Sequence, residues 1–304
     1  MKNPGWVDLQ VNGYGGVDFS APTLTEDEFL RAAEGVLKAG VSLFLPTIVT
    51  SSAETYTRNL PLIHKAVEKH GLKKNIPGFH LEGPFLSPKP GAVGAHNPAW
   101  IQAPTEENFD RLYDLAGGAV KILTVAADQE GVCTVIRHAA GKGVVVSVGH
   151  HLATPADLRA AVAAGARTIT HLGNGMPNLS DRHNNPLWAG AAEDDLIGML
   201  ICDGHHLPFE VIKCLLRIKG IDRSIVVSDA SPVAGLPPGR YHLLGNDAIL
   251  EPNGKFHNPE KGCLVGSSFV ITQCMEYLES KNFLTEAELI QLGRTNPLKL
   301  LGML

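Results

Sequence analysis

Apolar residues recur along the chain in two alternating patterns. Short runs such as "VSLFLPT", "VKILTV", "GVVVSVGH" and "SIVVSDA" are apolar on both faces, as expected of parallel strands buried under helices on either side. Between them lie segments with helical periodicity and clear end signals. "TEDE" at Thr25 to Glu28 is a capping box, predicting a helix to about Ala39 with Gly40 as its stop. Further helices are predicted from Ala53 to His70, Glu106 to Ala116, Glu130 to Lys142, after Thr154 with Gly165 closing it, and from Pro208 to Lys219.

Counted from Val7, the strands number eight, the others being "IPGFHLEGPF", "ARTITH" and "LIGMLICDG". Regular β-then-α alternation predicts an α/β fold, a (β/α)8 TIM-like barrel, over a single domain from 1 to 304. The rival, an open doubly wound sheet, expects G-x-G-x-x-G opening a helix after the first strand. Here "NGYGG" leads instead into a polar loop. Two Pro/Gly-rich stretches, "SPKPGAVGAHNP" and "SPVAGLPPGRY", follow strand ends and read as functional loops.

The first strand, "GWVDLQVNGYGG", alternates Val7, Leu9 and Val11 with Asp8, Gln10 and Asn12. Strict alternation in a barrel sends the apolar set outward against the helices and the polar set into the mouth.

Composition narrows the function classes. A net charge of -5, pI ≈ 6.2 and no cluster of Lys or Arg argue against a nucleic-acid partner. The five cysteines are odd in number and lack any C-x-x-C, which points to reduced thiols and a cytoplasmic location. No segment approaches the ~18 apolar residues of a membrane span, so no membrane partner is expected. Small-molecule chemistry gains by elimination.

Barrel sites form at the C-terminal ends of the strands. Those ends carry Gln10 and Asn12, Glu82, His150, His171, Asp203 and Asp229. A glutamate with two histidines suits a catalytic divalent cation, because three protein ligands leave a fourth position for water. An aspartate nearby can then take that water's proton. Each residue alone has an ordinary structural explanation, and only the barrel register unites them. The pairs His150/His151 and His205/His206 each offer two candidates between which pattern does not choose, whereas His64, His70, His138 and His257 read as structural.

"HLEGPF" followed by "GAHNP", "VGHHLAT", "THLGNGMP", "CDGHH", "SDASPVAGLPPGRY", "GSS" and "NPLKLLG" is an ordered set that resembles the N-acetylglucosamine-6-phosphate deacetylase family of the amidohydrolase superfamily, over almost the whole chain. The resemblance implies removal of the acetyl group from N-acetylglucosamine 6-phosphate, giving glucosamine 6-phosphate and acetate. It makes Glu82, His150 and His171 the ligands of one divalent metal per chain, zinc foremost, with iron, cobalt, nickel or manganese as alternatives. Asp229 becomes the general acid/base and His96 a group that polarises the acetyl carbonyl. Asn174 and Gly175 would meet the sugar phosphate, with Arg182 and His206 as its cationic partners. Gln10 and Asn12 stand where related barrels carry His-x-His, implying contacts to a metal-bound water in place of a second metal. The likeness also implies a homodimer.

Family members usually add N-terminal and C-terminal strands that form a small β-sandwich. With Met1 just before Trp6 and the last residue at Leu304, the expectation is a barrel without that sandwich. Gly173 replaces an aromatic residue common in the family and Ser231 a common Met, which touches the shape of the substrate pocket. Two alternatives stand beside this reading: an amidohydrolase for an unphosphorylated or epimeric N-acyl amino sugar, and an inactive barrel used for binding.

Overall fold

The computed structural model describes residues 3–304. Its main sheet has eight parallel strands: β1 (Trp6–Val11), then, beyond a short ribbon of β2 (Gly13–Tyr14) and β3 (Val17–Asp18), β4 (Val41–Val49), β5 (Phe79–Glu82), β6 (Val120–Val125), β7 (Val145–Val148), β8 (Ala166–Ile169), β9 (Ile197–Ile201) and β10 (Ser224–Val227). They neighbour one another in sequence order. A parallel bridge between Val11 and Ala230 brings the last strand back to the first, so the predicted barrel forms.

The crossover helices are α1 (Glu26–Lys38), α2 (Ala53–Lys69), α3 (Glu106–Leu115), α4 (Val132–Gly141), α5 (Pro155–Ala164), α6 (Pro186–Ala192) and α7 (Phe209–Lys219). Thr25 caps α1 and Thr154 caps α5, each in a reciprocal capping box, and Gly165 ends α5 in the left-handed region at φ 118°. α8 (Ile271–Ser280), α9 (Glu286–Ile290) and α10 (Asn296–Leu300) complete the chain. Among the described residues no helix is long and apolar enough to cross a membrane.

Inside the barrel, alternate strand positions form an apolar plug of Val7, Leu9, Leu43, Leu45, Ile122, Met199, Ile201, Ile225 and Val227, against which Leu298, Leu300 and Leu301 pack. This corrects the expectation for β1, since Val7 and Leu9 face the interior while Val11 joins the outer, helix-covered core. The cause is a β-bulge. Asp8 pairs with Phe44 but Val11 pairs with Pro46, so one extra residue sits on β1 between those two pairs. A one-residue slip inverts the facing of all that follows, which lets Gln10 and Asn12 enter the mouth although Val7 and Leu9 already point inward.

The stretch after β10, read from sequence as a loop, instead holds a four-stranded antiparallel sheet: β11 (Gly239–Leu243), β12 (Asn246–Leu250), β13 (Phe256–Asn258) and β14 (Cys263–Leu264). It has its own small core of Val233, Ala248, Leu250, Phe256 and Val265. Leu244 and Gly245, both at positive φ (52° and 66°), form the tight turn that joins β11 to β12.

Candidate metal centre and substrate cavity

Glu82 ends β5, His150 follows β7, His171 follows β8 and Asp229 follows β10. Three of these four adopt left-handed backbone: His150 at φ 51°, His171 at 33° and Asp229 at 52°. Non-glycine residues visit that region at a cost and persist there when surrounding structure holds them. Each strand thus turns sharply at its end and delivers a side chain into the mouth.

There the donor atoms converge. Glu82 Oε1 lies 2.9 Å from His171 Nε2 and 3.2 Å from His150 Nε2, and the two ring nitrogens are 3.1 Å apart. His150 Nδ1 donates to the carbonyl of Ala92 at 2.8 Å, so its Nε2 presents a lone pair inward. Two imidazole nitrogens and a carboxylate oxygen around one point form a donor set of the kind that suits a divalent cation. Tetrahedral zinc ligands at ~2.0–2.1 Å lie about 3.3 Å from one another, close to the spacing seen here. Glu82, His150 and His171 are therefore a cluster able to hold a divalent cation. The structure also separates the paired histidines, for His151 turns away and accepts from the backbone N–H of Ala153.

Burial pushes the Glu82 carboxyl up, but the adjoining His150, His171 and His96 imidazoles outweigh it and hold the group well below the usual carboxylate range. Asp229 goes the other way. Burial first, and then the Glu82 charge, raise it to about 6. Two carboxylates thereby divide into an ionised ligand and a group poised near neutrality, as acid/base work requires. Gln10 Nε2 bridges them, donating to Glu82 Oε1 at 3.0 Å and to Asp229 Oδ1 at 2.9 Å, and Asn12 Nδ2 donates to the same Oδ1 at 2.7 Å. Among the described residues none hydrogen-bonds Asp229 Oδ2.

These residues lie at a cavity of about 1330 Å³. His96 stands 3.2 Å from His150 Nε2, and burial together with the neighbouring His150 pushes its imidazole down to about 3, keeping it neutral. Asn174 donates to the His171 carbonyl, and a Cβ on Gly175 would come within 2.9 Å of His150 Nδ1, so only glycine lets that loop press on the ring. His206 lines the cavity with its Nδ1 on Asp203. Arg182 does not join them, being exposed on the loop between β8 and α6, outside the cavity lining of its own chain. Conversely His257, expected to be structural, lines the cavity from β13, along with Lys255 and Lys261. The sequence reading missed them because it saw no sheet there to carry them.

A (β/α)8 barrel with a glutamate, two histidines and an aspartate meeting at its strand ends is a metal-dependent hydrolase of the amidohydrolase type. No protein-family model matches the chain, but relatives do. It is 30% identical to N-acetylgalactosamine-6-phosphate deacetylase of Escherichia coli O157:H7, over 99% of this chain and 78% of that protein. It is 32% identical to N-acetylglucosamine-6-phosphate deacetylase of Homo sapiens, over 99% and 74%. A solved structure of a variant N-acetyl-D-glucosamine-6-phosphate deacetylase from Mycobacterium smegmatis, in complex with N-acetyl-D-glucosamine-6-phosphate, superposes with a TM-score of 0.88 at 29% identity, over 99% of this chain and 77% of that one. The chain belongs to the N-acetylglucosamine-6-phosphate deacetylase family.

Proposed function

We propose that the protein removes the acetyl group of N-acetylglucosamine 6-phosphate with the help of one divalent metal ion, zinc, held by Glu82, His150 and His171. The observation that carries the reading is the convergence of those three donor sets beside Asp229 at the floor of one cavity. Two imidazoles and a carboxylate suit zinc, and its alternatives iron, cobalt, nickel and manganese. The ion, when bound, polarises the acetyl carbonyl and lowers the pKa of a water towards ~7.

The chain's own groups then divide the work. Asp229, free at Oδ2, takes the proton from the attacking water and returns it to the sugar nitrogen as the C–N bond breaks and the new C–O bond completes acetate. Gln10 and Asn12 hold Asp229 in place through Oδ1. His96, neutral, donates to the carbonyl oxygen as it gains charge. Asn174 and Gly175 shape the sugar's seat, and His206 offers a cation to the phosphate. The working unit is the barrel with the β11–β14 sheet, whose residues line the same cavity.

Arg182, exposed and outside the cavity lining of its own chain, is placed to serve a phosphate bound by a second chain. Leu179 on the same loop is 93% exposed and Trp188 on α6 47% exposed, a surface that a second copy can cover, so we read the working form as a homodimer. Five free cysteines support a cytoplasmic setting.

The test is turnover of N-acetylglucosamine 6-phosphate, N-acetylgalactosamine 6-phosphate and the two unphosphorylated sugars, after metal quantification, with sedimentation to count subunits. Preference for N-acetylglucosamine 6-phosphate is expected. Faster hydrolysis of the epimer or of an unphosphorylated sugar moves the specificity, and no turnover of any of them leaves a binding barrel.

A further inference from the structure

Four side chains attend the bulge of β1. His80 Nδ1 meets the Leu9 carbonyl at 2.9 Å, Asp8 Oδ1 accepts from Gln10 N–H at 3.3 Å, Ser228 Oγ, 2.5 Å from Asp8 Oδ2, lies 3.3 Å from the Gln10 carbonyl, and Thr47 Oγ1 accepts from Val11 N–H at 3.0 Å. A bulge disturbs the regular ladder, and buried backbone groups must still find partners. Of the four, His80 is the one tied into a longer buried chain.

The direction of that chain is forced. A carbonyl only accepts, so His80 Nδ1 carries the proton and Nε2 accepts from Thr124 Oγ1 at 2.7 Å. A hydroxyl has one proton, so Thr124 Oγ1 in turn accepts from Thr170 Oγ1 at 2.7 Å, and Thr170 Oγ1 accepts from Ser147 Oγ at 2.6 Å. Side chains from β5, β6, β7 and the end of β8, all buried, thus aim one N–H at the carbonyl that precedes Gln10. Without the bulge, Gln10 would face away from Leu9 and leave the mouth.

We propose that His80 is a positioning residue for the reaction, fixing the β1 bulge in the form that lays the Gln10 amide across Glu82 and Asp229. This rests on the deacetylase reading above. His80 touches neither substrate nor the reacting atoms, and it acts through Gln10.

The experiment compares two replacements and a cycle. His80→Asn keeps a donor near the Nδ1 position, whereas His80→Gln keeps a polar group near Nε2 and loses the Leu9 contact. His80→Gln is expected to lower kcat about tenfold with KM within about twofold and bound metal unchanged, and His80→Asn to recover most of kcat. In metal-free protein, amide hydrogen exchange over residues 6–12 should quicken in His80→Gln and stay near the parent rate in His80→Asn. The double variant with Gln10→Ala should be no slower than Gln10→Ala alone. Equal losses in the Asn and Gln variants, or multiplicative losses in the cycle, overturn the proposal. Should His80→Gln fail to fold, Thr124→Val replaces it in the cycle, and a multiplicative result there overturns it equally. A parent enzyme inactive on every N-acetylhexosamine sinks the deacetylase reading instead, so the two failures are distinct.

Discussion

Asp203 Oδ2 accepts a hydrogen bond from His206 Nδ1 at 2.7 Å, while Asp203 Oδ1 takes the backbone N–H groups of His205 and His206, both at 2.8 Å. Ser267 Oγ donates to Oδ2 as well, at 2.8 Å. The carboxylate is therefore fixed before any ligand arrives, and the imidazole ring is fixed with it.

Burial alone would strip the proton from His206, but the Asp203 charge and hydrogen bond outweigh it and raise the imidazole above its ordinary value. A raised histidine is cationic at lower pH and loses its charge as pH climbs through the raised value. Asp203→Asn removes the charge and lets that loss begin at lower pH. KM for N-acetylglucosamine 6-phosphate should rise about tenfold near neutrality, with kcat changed little. Measured from about pH 6 to 8, KM of the variant should climb earlier than that of the parent. Superimposable profiles would show that His206 does not meet the phosphate as a cation.

Asp229→Asn keeps an acceptor oxygen for Gln10 and Asn12 but removes the acid/base. Loss of such a group costs typically ~10²–10⁴ in rate, so kcat should fall by that order while metal content stays at the parent level. A variant within about threefold of the parent, against that expectation, would assign the proton transfer elsewhere.

Gln10 and Asn12 spend their amide N–H groups on carboxylates, and neutral amides are poor zinc ligands beside imidazole. One metal per chain is therefore expected. Dialysis against a chelator should abolish turnover and lower the melting temperature, since a ligand bound only by the native state stabilises it by ~2.7 kcal/mol at a hundredfold excess over Kd. His171→Ala should reproduce both effects without chelator. Elemental analysis near two metals per chain would overturn the single-site reading.

The barrel and most of its site were legible because each depends on a local signal. Strand runs apolar on both faces, the caps at Thr25 and Thr154, and polar residues at strand ends picked out Glu82, His171 and Asp229, whereas the choice of His150 over His151 came from the family resemblance. What escaped depends on long-range register. The facing of Val7 and Leu9 turns on a bulge that shows only when β1 is laid against β4. Asp203 was picked out at its strand end, but its part in holding the His206 ring shows only when that ring and Ser267 are seen around it. The β11–β14 sheet reads as loop because its strands are short, β13 having 3 residues and β14 2, and follow a Pro/Gly-rich stretch, although Arg240 to Leu243 alternates polar and apolar. His257 was misjudged for the same reason.

Asp8 offers a test on stability. Its carboxyl is fully buried, and burial raises it from 3.8 to about 6 in spite of hydrogen bonds from Ser228 and from the Gln10 backbone. The native state therefore holds this proton more tightly than the unfolded chain does. Between those two values the native state binds more protons, so stability falls as pH rises through the window and stays lower above it. A shift of about two units corresponds to roughly 3 kcal/mol. Asp8→Asn keeps an acceptor for the Ser228 and Gln10 N–H groups and cannot ionise. Its melting temperature relative to the parent should therefore increase progressively from about pH 4 to about pH 6 and level off beyond. Melting curves of the two proteins that stay parallel across that range would show that Asp8 carries no such burden.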